Sequence, residues 1–513
     1  MQITGDALKI EHIFQVAYTP GQRVTLAPSA IEKIKHSRNY IESRIASGET
    51  MYGVNTGFGA FSSVKISDAD IEKLQRNLIR SHSAGVGEPF TKAQTRAMML
   101  LRANALARGH SGVRVLVVDK ILEYLNNDII PVIPSQGSVG ASGDLAPLSH
   151  LALALIGEGE VWESGVKADQ HLPVQARLKD LGIQPLELKA KEGLSLINGC
   201  QVMTALGALG LYEARNLAWL ADLAGAMSLE AMKGSRSAFD PLISAVRPHP
   251  GEIKTARNLL KILGEKSEIS ENHKDCDKVQ DAYSLRCMPA VHGATKDTLR
   301  YAAQILETEA NSSTDNPLVF ADDNKILSCG NFHGEPIAFA LDFLGIALAS
   351  LANISECRLT LMINPSMSGL PAFLTNNGGL NSGHMIVQVA AASLVSENKI
   401  LAHPASVDSL PTSADKEDHV SMGTIAARKF LMILKNAQNV VAMELLSACQ
   451  ALDLIAPLKP AAGVKAAYDL IRKTVPFATE DRIFAKDIEK IRNLILDESL
   501  VHELKKKTGE LEW

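Results

Sequence analysis

The apolar positions change their period along the chain. Between residues 67 and 107 they recur at helical spacing, with Ile71, Leu74 and Leu78 on one face. In the first third of the chain we expect strands near Ile10 and over 23–26, and helices over 29–46, 98–106 and 116–125. This part is therefore predicted to combine short helices with a few strands.

After residue 200 the pattern becomes that of long helices with few β-branched runs. The predicted long helices are Gln201–Met232, Lys296–Glu309, Pro336–Met362, Met385–Ala402 and Gly423–Leu454. Residues 480–513 are predicted to form a charged, amphipathic helical tail. The expected fold class is mainly α, with an N-terminal domain over 1–195 and a bundle of long central helices plus the tail over 196–513.

Composition narrows the class of protein. The chain has 513 residues, 46% hydrophobic and 21% charged, with a net charge of −5, which argues against nucleic-acid or membrane-surface binding. Its six cysteines are scattered without a C-x-x-C pair, and residues 1–9 lack the features of a signal peptide. The apolar run 337–354 is interrupted by Asp342, which favours the centre of a bundle over a membrane span. We therefore expect a cytoplasmic protein.

One stretch, residues 137–144 (the electrophile loop), concentrates small residues and glycine. At its centre is Ala141-Ser142-Gly143, preceded by Gly140, and such a run lets the backbone take geometries that a bulky Cβ would forbid. If the Gly143 nitrogen attacks the Ala141 carbonyl carbon and two waters are lost, one from Ser142, a methylidene-imidazolone (MIO) results. Its exocyclic C=CH2 would be a strong electrophile made from the chain itself.

Asp144 ends this loop and is predicted to be the N-cap of a helix over 145–156, with Pro147 tolerated in the first turn. A ring at the positive end of that helix would be favoured when negative charge develops on its oxygen. The simpler alternative is a Gly/Ser loop leading into a core helix. A serine-hydrolase nucleophile elbow is excluded, because neither Ser138 nor Ser142 has glycine two residues away on both sides.

A second glycine-rich segment, residues 52–59, contains Gly53, Gly57 and Gly59. This spacing matches neither the dinucleotide-binding fingerprint nor the P-loop, and no lysine follows at the required distance. We therefore expect a mobile lid, or a close approach of the backbone to a small ligand, rather than a phosphate cradle.

Elimination of an α-amine needs an electrophile for the amine, a base for the weakly acidic β-hydrogen and a clamp for the carboxylate. Tyr52 and Tyr283 are candidate bases, and Arg286 is a candidate clamp. If residues 280–286 are helical, Gln280, Tyr283 and Arg286 share one face. From these residues alone, an ordinary polar face is the simpler explanation of that triplet.

The run GSVGASGDLAPLSH (137–150) resembles the signature of the aromatic amino acid ammonia-lyases and aminomutases, which carry MIO. Other blocks that resemble the family are YGVNTGFG (52–59), QRNLIRSHSAGVGE (75–88), LINGCQ (196–201), QDAYSLRC (280–287), NSSTDNP (311–317), GNFHGE (330–335) and NKILAHPASVDSLPTSADKEDHVSMG (398–423). The later blocks and the Ser81-His82 pair are most similar to the members that act on histidine. The resemblance covers nearly the whole chain.

This resemblance implies the machinery for the amine and the carboxylate. Ala141, Ser142 and Gly143 would form MIO. Tyr52 and Tyr283 would be the acid/base catalysts, and the resemblance leaves open which of them takes the β-proton. Arg286 and Asn198 would bind the substrate carboxylate, and Gln280 would support the site.

The resemblance also implies the residues that face the substrate ring. Phe332 would pack beside the prosthetic ring, and His82 and Glu417 would hold the substrate imidazole. A buried imidazole needs partners for both nitrogens, so this assignment makes physical sense. On the residues alone, His82 is explained as a cap or surface residue at a helix end, and Glu417 as an acid in the first turn of a helix.

The implied reaction is the conversion of L-histidine to trans-urocanate and ammonia, the first step of histidine degradation. The family implies the ammonia-lyase/fumarase-like superfold and a homotetramer in which each active site draws residues from three subunits. It also implies that MIO is the prosthetic group and that no diffusible cofactor and no metal are required.

Two departures from the histidine-specific pattern leave alternatives open. His384 stands where those members generally have phenylalanine, and Lys416 stands where many bacterial members have glutamine. The first alternative is a tyrosine or phenylalanine ammonia-lyase or 2,3-aminomutase, since some bacterial tyrosine aminomutases also carry the Ser-His pair. A remote alternative is a catalytically silent helical scaffold with the same fold.

Overall fold

The structure, a computed structural model, describes residues 1–57, 59, 64–163, 170–275 and 278–513, so part of the glycine-rich segment lies outside the described residues. The chain divides into two compact units. The first unit comprises Met1–Leu209, Ala303–Asp342 and Pro404–Arg428, and the second comprises Gly210–Ala302, Phe343–His403 and Lys429–Trp513. The domain division at residue 195 stays a prediction.

The first unit combines short helices with small sheets, as the sequence predicts. Its helices include Ile10–Tyr18, Pro28–Ala46, Ile71–His82, Lys92–Ala107, Val115–Asn126, Leu145–Leu155, Val174–Leu181 and Glu192–Ile197. The described strands pair in twos: Gln2–Ile3 parallel with Thr25–Leu26, and, antiparallel, Val86–Pro89 with Pro134–Gln136, Glu160–Trp162 with His171–Pro173, and Leu318–Phe320 with Lys325–Leu327.

The strand expected near Ile10 is wrong, because this residue begins a helix. Ile10, Ile13, Val16 and Ala17 are all buried, which is the spacing of one helical face. That helix packs against Lys92–Ala107. Burial of an amphipathic face therefore decided the local structure.

The helix Lys92–Ala107 shows how the sequence sets an element's start. Thr91 precedes it, and its hydroxyl accepts a hydrogen bond from the Gln94 amide (3.3 Å), while the Gln94 side chain accepts one from the Thr91 amide (2.9 Å). This capping box satisfies amides that have no partner within the helix. From Thr95 to Ala107 the residues are buried, so the helix forms a central part of the first unit's core.

The long helices are confirmed, with bounds close to those predicted except that the helix predicted from Lys296 begins at Met288. They are Gln201–Ala231, Met288–Ala310, Glu335–Met362, Met385–Leu401 and Gly423–Leu454. Glu335–Met362 is long and apolar enough to cross a membrane, but 67% of its most apolar window is buried within the structure. Such burial is typical of a core helix.

The other helices of the second unit are shorter. A buried charge network joins the long helices Glu335–Met362 and Gly423–Leu454. The shorter helices include Pro241–Val246, Pro250–Leu263, Glu268–Asn272, Tyr283–Arg286, Pro365–Ser368, Ala462–Thr474, Phe484–Leu496 and Ser499–Thr508. Arg358 donates to both carboxylate oxygens of Glu444 (2.6 and 2.8 Å), and neither side chain is exposed. Ser228 and Ser355 donate to the same carboxylate at 2.7 and 2.6 Å. The buried charges are therefore hydrogen-bonded on every side, which makes their burial tolerable.

Candidate active site

Three helices of the first unit pack on one another and bring separate parts of the sequence together. They are Ile71–His82, Leu145–Leu155 and Glu192–Ile197. His82 is the last residue of the first helix, the electrophile loop precedes the second, and Asn198 is the C-cap of the third. The helix ends thus place these residues around one cavity of about 1150 Å³.

The cavity is lined by six of the residues predicted from sequence. They are Tyr52, His82, Ser142, Asn198, Phe332 and Glu417. Sequence reasoning missed other polar lining residues, including Asn77, Asn316 and Ser413. These residues carry no motif of their own beyond the family blocks, and only the fold brings them to the cavity.

The backbone of the electrophile loop has an unusual conformation. Ser142 has φ +50°, a left-handed geometry rare for residues with a side chain, and Gly140 and Gly143 also have positive φ. A Cβ at Gly143 would lie 2.2 Å from the carbonyl oxygen of Gly199, so only glycine fits there. The observed conformation is therefore imposed by the surrounding chain.

The Ser142 carbonyl oxygen accepts hydrogen bonds from two donors. The Gly199 amide donates at 3.3 Å, and the Asn198 side chain, oriented so that both its polar atoms are paired, donates at 3.0 Å. Arg102, which is fully buried, donates to the Asn198 carbonyl at 2.7 Å and holds this segment in place. Burial lowers the pKa of Arg102 to about 10. Sequence reasoning did not find Arg102, because its contact is made only in the folded chain.

Asp144 occupies the predicted N-cap position, and the helix Leu145–Leu155 follows it, but its side chain does not cap that helix. Its carboxylate accepts instead from the amides of Val202 (2.9 Å) and Met203 (3.1 Å), at the start of the next long helix, and from the Thr424 hydroxyl (2.6 Å). The predicted N-cap position is thus confirmed, while the side chain serves to join distant segments. Burial raises the pKa of Asp144 to about 6, against the opposing effect of these donors.

Glu417 is bonded directly to the electrophile loop. The Ser142 hydroxyl donates to one of its carboxylate oxygens at 2.9 Å, and the Thr412 and Ser413 hydroxyls donate to the other at 2.9 and 2.7 Å. The alternative of a first-turn helical acid is wrong, because Glu417 lies in a loop bridge to Thr412, before the helix that begins at Gly423. The carboxylate therefore lies at the cavity wall beside Ser142.

His82 lines the cavity at the end of its helix, where Ser81 lies 3.0 Å from its Nδ1. Burial lowers the pKa of the His82 imidazole. A hydrogen bond between the imidazole and the Leu78 backbone, and the negative charge of Glu417, raise this pKa but by less. An imidazole with a lowered pKa is neutral at pH 7, so one ring nitrogen donates and the other accepts.

Gln280, Tyr283 and Arg286 all lie in the second unit. The helix begins only at Tyr283, so the single helical face predicted over 280–286 is not formed. The side chains still meet, since Arg286 stacks 4.6 Å from the centre of the Tyr283 ring and donates to Gln280 at 3.2 Å. Tyr283 is 72% exposed, and Gln280 and Arg286 line a separate cavity of about 810 Å³.

The two departures from the histidine-specific pattern have different locations. Lys416 lines the cavity of the first unit. His384 lies in the second unit, buried, with its Nδ1 2.8 Å from the Ser447 hydroxyl, and burial lowers its pKa to about 3. His384 is therefore a neutral core residue, and of the two only Lys416 contacts the cavity.

The described geometry fits a ring formed from the electrophile loop. Gly143, which has no Cβ, packs directly against the Gly199 backbone, and the Ser142 carbonyl, whose oxygen would become the ring oxygen, already has two donors. Such donors stabilise negative charge that develops on an oxygen.

Comparison with known proteins agrees with this geometry. The aromatic amino acid lyase family model matches residues 8–473. The histidine ammonia-lyase of Myxococcus xanthus is 51% identical over 494 residues, which cover 96% of each chain.

Two solved structures have the same fold. A histidine ammonia-lyase from Trypanosoma cruzi superposes with a TM-score of 0.92 at 43% identity, covering 99% of this chain and 96% of that one. A tyrosine aminomutase from Streptomyces globisporus superposes with a TM-score of 0.94 at 38% identity, covering 100% of both. This chain belongs to the aromatic amino acid lyase family.

Proposed function

We propose that this chain is an ammonia-lyase that converts L-histidine to trans-urocanate and ammonia, the first step of histidine degradation. The observation that carries the proposal is one cavity in which Glu417 accepts a hydrogen bond from Ser142 and which His82 also lines. An acceptor carboxylate and a neutral imidazole are suitable partners for the two nitrogens of a substrate imidazole. The 51% identity to a histidine ammonia-lyase supports the same choice.

Members of the family use MIO, and we propose that Ala141-Ser142-Gly143 forms it here. The Gly143 nitrogen bonds to the Ala141 carbonyl carbon, whose oxygen leaves as water, and Ser142 loses its hydroxyl as a second water. When formed, the group supplies an electrophilic methylidene carbon for the substrate amine. The left-handed backbone at Ser142, held by Gly199 and Asn198, supports a loop compressed for this ring closure.

The chain's own residues would perform the remaining tasks. The Gly199 amide and the Asn198 side chain stabilise negative charge on the oxygen of residue 142, as preorganised donors do. Phe332 and Tyr52 both line the cavity. Phe332 would pack beside the prosthetic ring, and Tyr52 would exchange a proton. His82 and Glu417 would bind the imidazole of the substrate and so hold the substrate in a single orientation.

We propose that Tyr283, Arg286 and Gln280 complete the site from other subunits of a homotetramer. Two observations support this assembly. No arginine is among the described residues that line the first unit's cavity, although a substrate carboxylate calls for one. Tyr283, stacked on Arg286, is 72% exposed in the single chain and so is available to a second copy. A monomer would then be inactive.

Three broader assignments accompany this function. We propose a cytoplasmic location, an N-terminal domain over 1–195 that carries the electrophile loop, and a domain over 196–513 that contains the central helices and tail. The substrate is a small amino acid, with no nucleic-acid or membrane partner and no diffusible cofactor.

A tyrosine-specific activity is the second candidate, since the tyrosine aminomutase superposes over the whole chain at 38% identity. The test is to supply L-histidine, L-tyrosine and L-phenylalanine separately and to measure ammonia and the unsaturated acid released. Urocanate and ammonia from histidine alone are expected. Coumarate, cinnamate or a β-amino acid as the main product would overturn the histidine assignment, and no turnover of any of the three would favour the silent scaffold.

The variant His82→Leu sharpens this test. It removes the imidazole partner and is expected to lower kcat/KM for histidine by about 10–100-fold, which corresponds to the loss of one or two hydrogen bonds. His36→Leu is the matched control, because His36 is an exposed histidine of the first unit that does not line the cavity. Equal activity of both variants would contradict the assigned role.

A further inference from the structure

A cluster of two imidazoles and a carboxylate lies outside the lining of the cavity. It is formed by His333, Glu335 and His419, all in the first unit, and is called here the His–Glu–His cluster. One possible ligand atom from each residue lies within 4.8 Å of the others. We propose that this cluster binds a divalent transition-metal ion of the Zn²⁺ class.

Both ring nitrogens of His333 have a hydrogen-bond partner, and the bond at Nδ1 is the one that an ion would have to replace. Its Nε2 lies 3.2 Å from the carbonyl oxygen of His419 and therefore carries the proton and donates it. The other nitrogen, Nδ1, then has its lone pair in the plane of the ring and accepts only a long contact from the Glu335 amide, at 3.3 Å. Histidines that bind metals usually donate their second N–H to a carbonyl or a carboxylate in this way.

Glu335 supplies the second, independent observation. Its Oε2 is buried from solvent and has no hydrogen-bond partner among the described residues. This oxygen lies 4.0 Å from Nδ1 of His333, beyond hydrogen-bond distance. An unpaired buried carboxylate oxygen is unfavourable, and a cation between the two atoms would satisfy both.

The position of Glu335 also has a simpler explanation, which does not involve a metal ion. It is the first residue of the helix Glu335–Met362, where a negative charge interacts favourably with the helix dipole. That interaction accounts neither for the partnerless Oε2 nor for the two imidazoles beside it.

The donor set indicates which class of ion fits. Two imidazole nitrogens and one carboxylate oxygen are ligands typical of Zn²⁺ and its first-row neighbours, whereas Mg²⁺ and Ca²⁺ prefer oxygen ligands alone. Tetrahedral coordination at about 2.0–2.1 Å requires the ligand atoms to approach to about 3.3 Å of one another. His419 is exposed, so its ring is free to make this adjustment, and water would fill the remaining position.

A bound ion would connect two segments that also carry cavity residues. His333 follows Phe332 directly, and His419 stands two residues after Glu417. The ion would therefore have a positioning role, holding these two segments together, and would take no part in the elimination. This inference goes beyond the proposed function, which requires no metal.

The test uses the full-length protein, stripped with a chelator, dialysed and titrated with Co²⁺, whose visible absorption reports nitrogen and oxygen ligands. We expect one saturable Co²⁺ per chain, displaced by Zn²⁺, and a rise in the melting temperature on addition of Zn²⁺. Glu335→Gln and His419→Gln should each weaken binding by about 10-fold or more and reduce the rise in melting temperature. Glu335→Gln keeps the volume and removes the charge, and the exposed His419 can be changed without disturbing the core.

Two control variants separate this cluster from other histidines. His502→Gln changes an exposed histidine of the second unit, and His82→Gln changes the cavity histidine. Both should bind Co²⁺ as the unmodified protein does. The proposal is overturned if no saturable binding occurs, if Glu335→Gln and His419→Gln bind with unchanged affinity, or if His82→Gln is the variant that loses the ion. These readouts do not depend on turnover.

Discussion

Two carboxylates, one in each unit, are arranged differently. In the second unit Glu444 is bonded to Arg358, Ser228 and Ser355, and neither member of the ion pair is exposed. In the first unit Glu417 is bonded to hydroxyl groups but lines a cavity of about 1150 Å³. The Glu444 carboxylate is thus fully hydrogen-bonded within the chain, whereas the Glu417 carboxylate lies beside a space that a ligand can occupy.

The difference separates a structural network from a reactive site. A closed network that is broken leaves an uncompensated buried charge, so its members should affect stability. A group that faces a cavity is accessible to solvent and to ligand, so its removal should affect binding and turnover. Four substitutions test this comparison, beginning with the largest expected effect.

Ser142→Ala removes the hydroxyl that must leave in the second dehydration. We expect urocanate formation to fall by about 10⁴-fold, because the electrophile cannot form, with little change in melting temperature. Ser37→Ala is the control, since among the described residues this buried hydroxyl of the same unit bonds only to the Ile34 carbonyl. Full activity of Ser142→Ala would contradict the electrophile proposal.

Arg358→Met breaks the closed network and leaves Glu444 buried without its counter-ion. The free energy of unfolding should fall by about 3–5 kcal/mol, as measured by denaturant titration. The double variant Arg358→Met with Glu444→Leu should recover part of this loss, because no charge is then buried. A loss below about 1 kcal/mol in the single variant would show that the network is not a stabilising element.

Glu417→Gln keeps the shape of the side chain and removes its charge. The value of kcat/KM for histidine should fall by about 10–100-fold, corresponding to one charge-assisted hydrogen bond, while the unfolding free energy changes little. Glu88→Gln serves as the matched control, because Glu88 is an exposed acid of the first unit that does not line the cavity. A large decrease in the free energy of unfolding with unchanged turnover would show that Glu417 stabilises the fold rather than binding the substrate.

Glu309 lies in the first unit, and burial raises its pKa to about 7. Glu309 therefore keeps its proton to a higher pH in the folded chain than in the unfolded chain. The unfolded chain binds fewer protons between pH 4.5 and 7, and the unfolding free energy therefore falls as pH rises through this range. Glu309→Gln removes this dependence. Its stability relative to the unmodified protein should improve by about 1–3 kcal/mol between pH 5 and pH 8. An equal difference at both pH values would contradict the raised pKa.

The helices were the part of the fold most accessible from sequence. Gly423–Leu454 has the predicted bounds, because a long stretch with few β-branched residues leaves few alternatives to a helix. The helix Ile10–Tyr18 was missed although its buried residues follow helical spacing, since in a nine-residue element the pattern is short. Local signals therefore predicted the long elements better than the short ones.

The site was predicted only where residues carry a motif. Six predicted residues line the cavity, because the family blocks that contain them were recognisable. The bonds of Asp144 to Val202 and Thr424 and of Arg102 to Asn198 join distant segments, so no spacing in the sequence indicates them. The site roles of Tyr283 and Arg286 stay predictions, since neither residue lines the first unit's cavity.

The bonds of Asp144 also have a consequence for the order of events during synthesis. The Thr424 hydroxyl that bonds to Asp144 is encoded 280 residues later. A nascent chain emerging from the ribosome therefore carries the electrophile loop long before its supports exist, and we expect the loop to stay unmodified during that interval. Ring closure would begin only after residue 424 has emerged and folded. A group that could react with cellular thiols and amines would thus be generated inside a cavity that already encloses it.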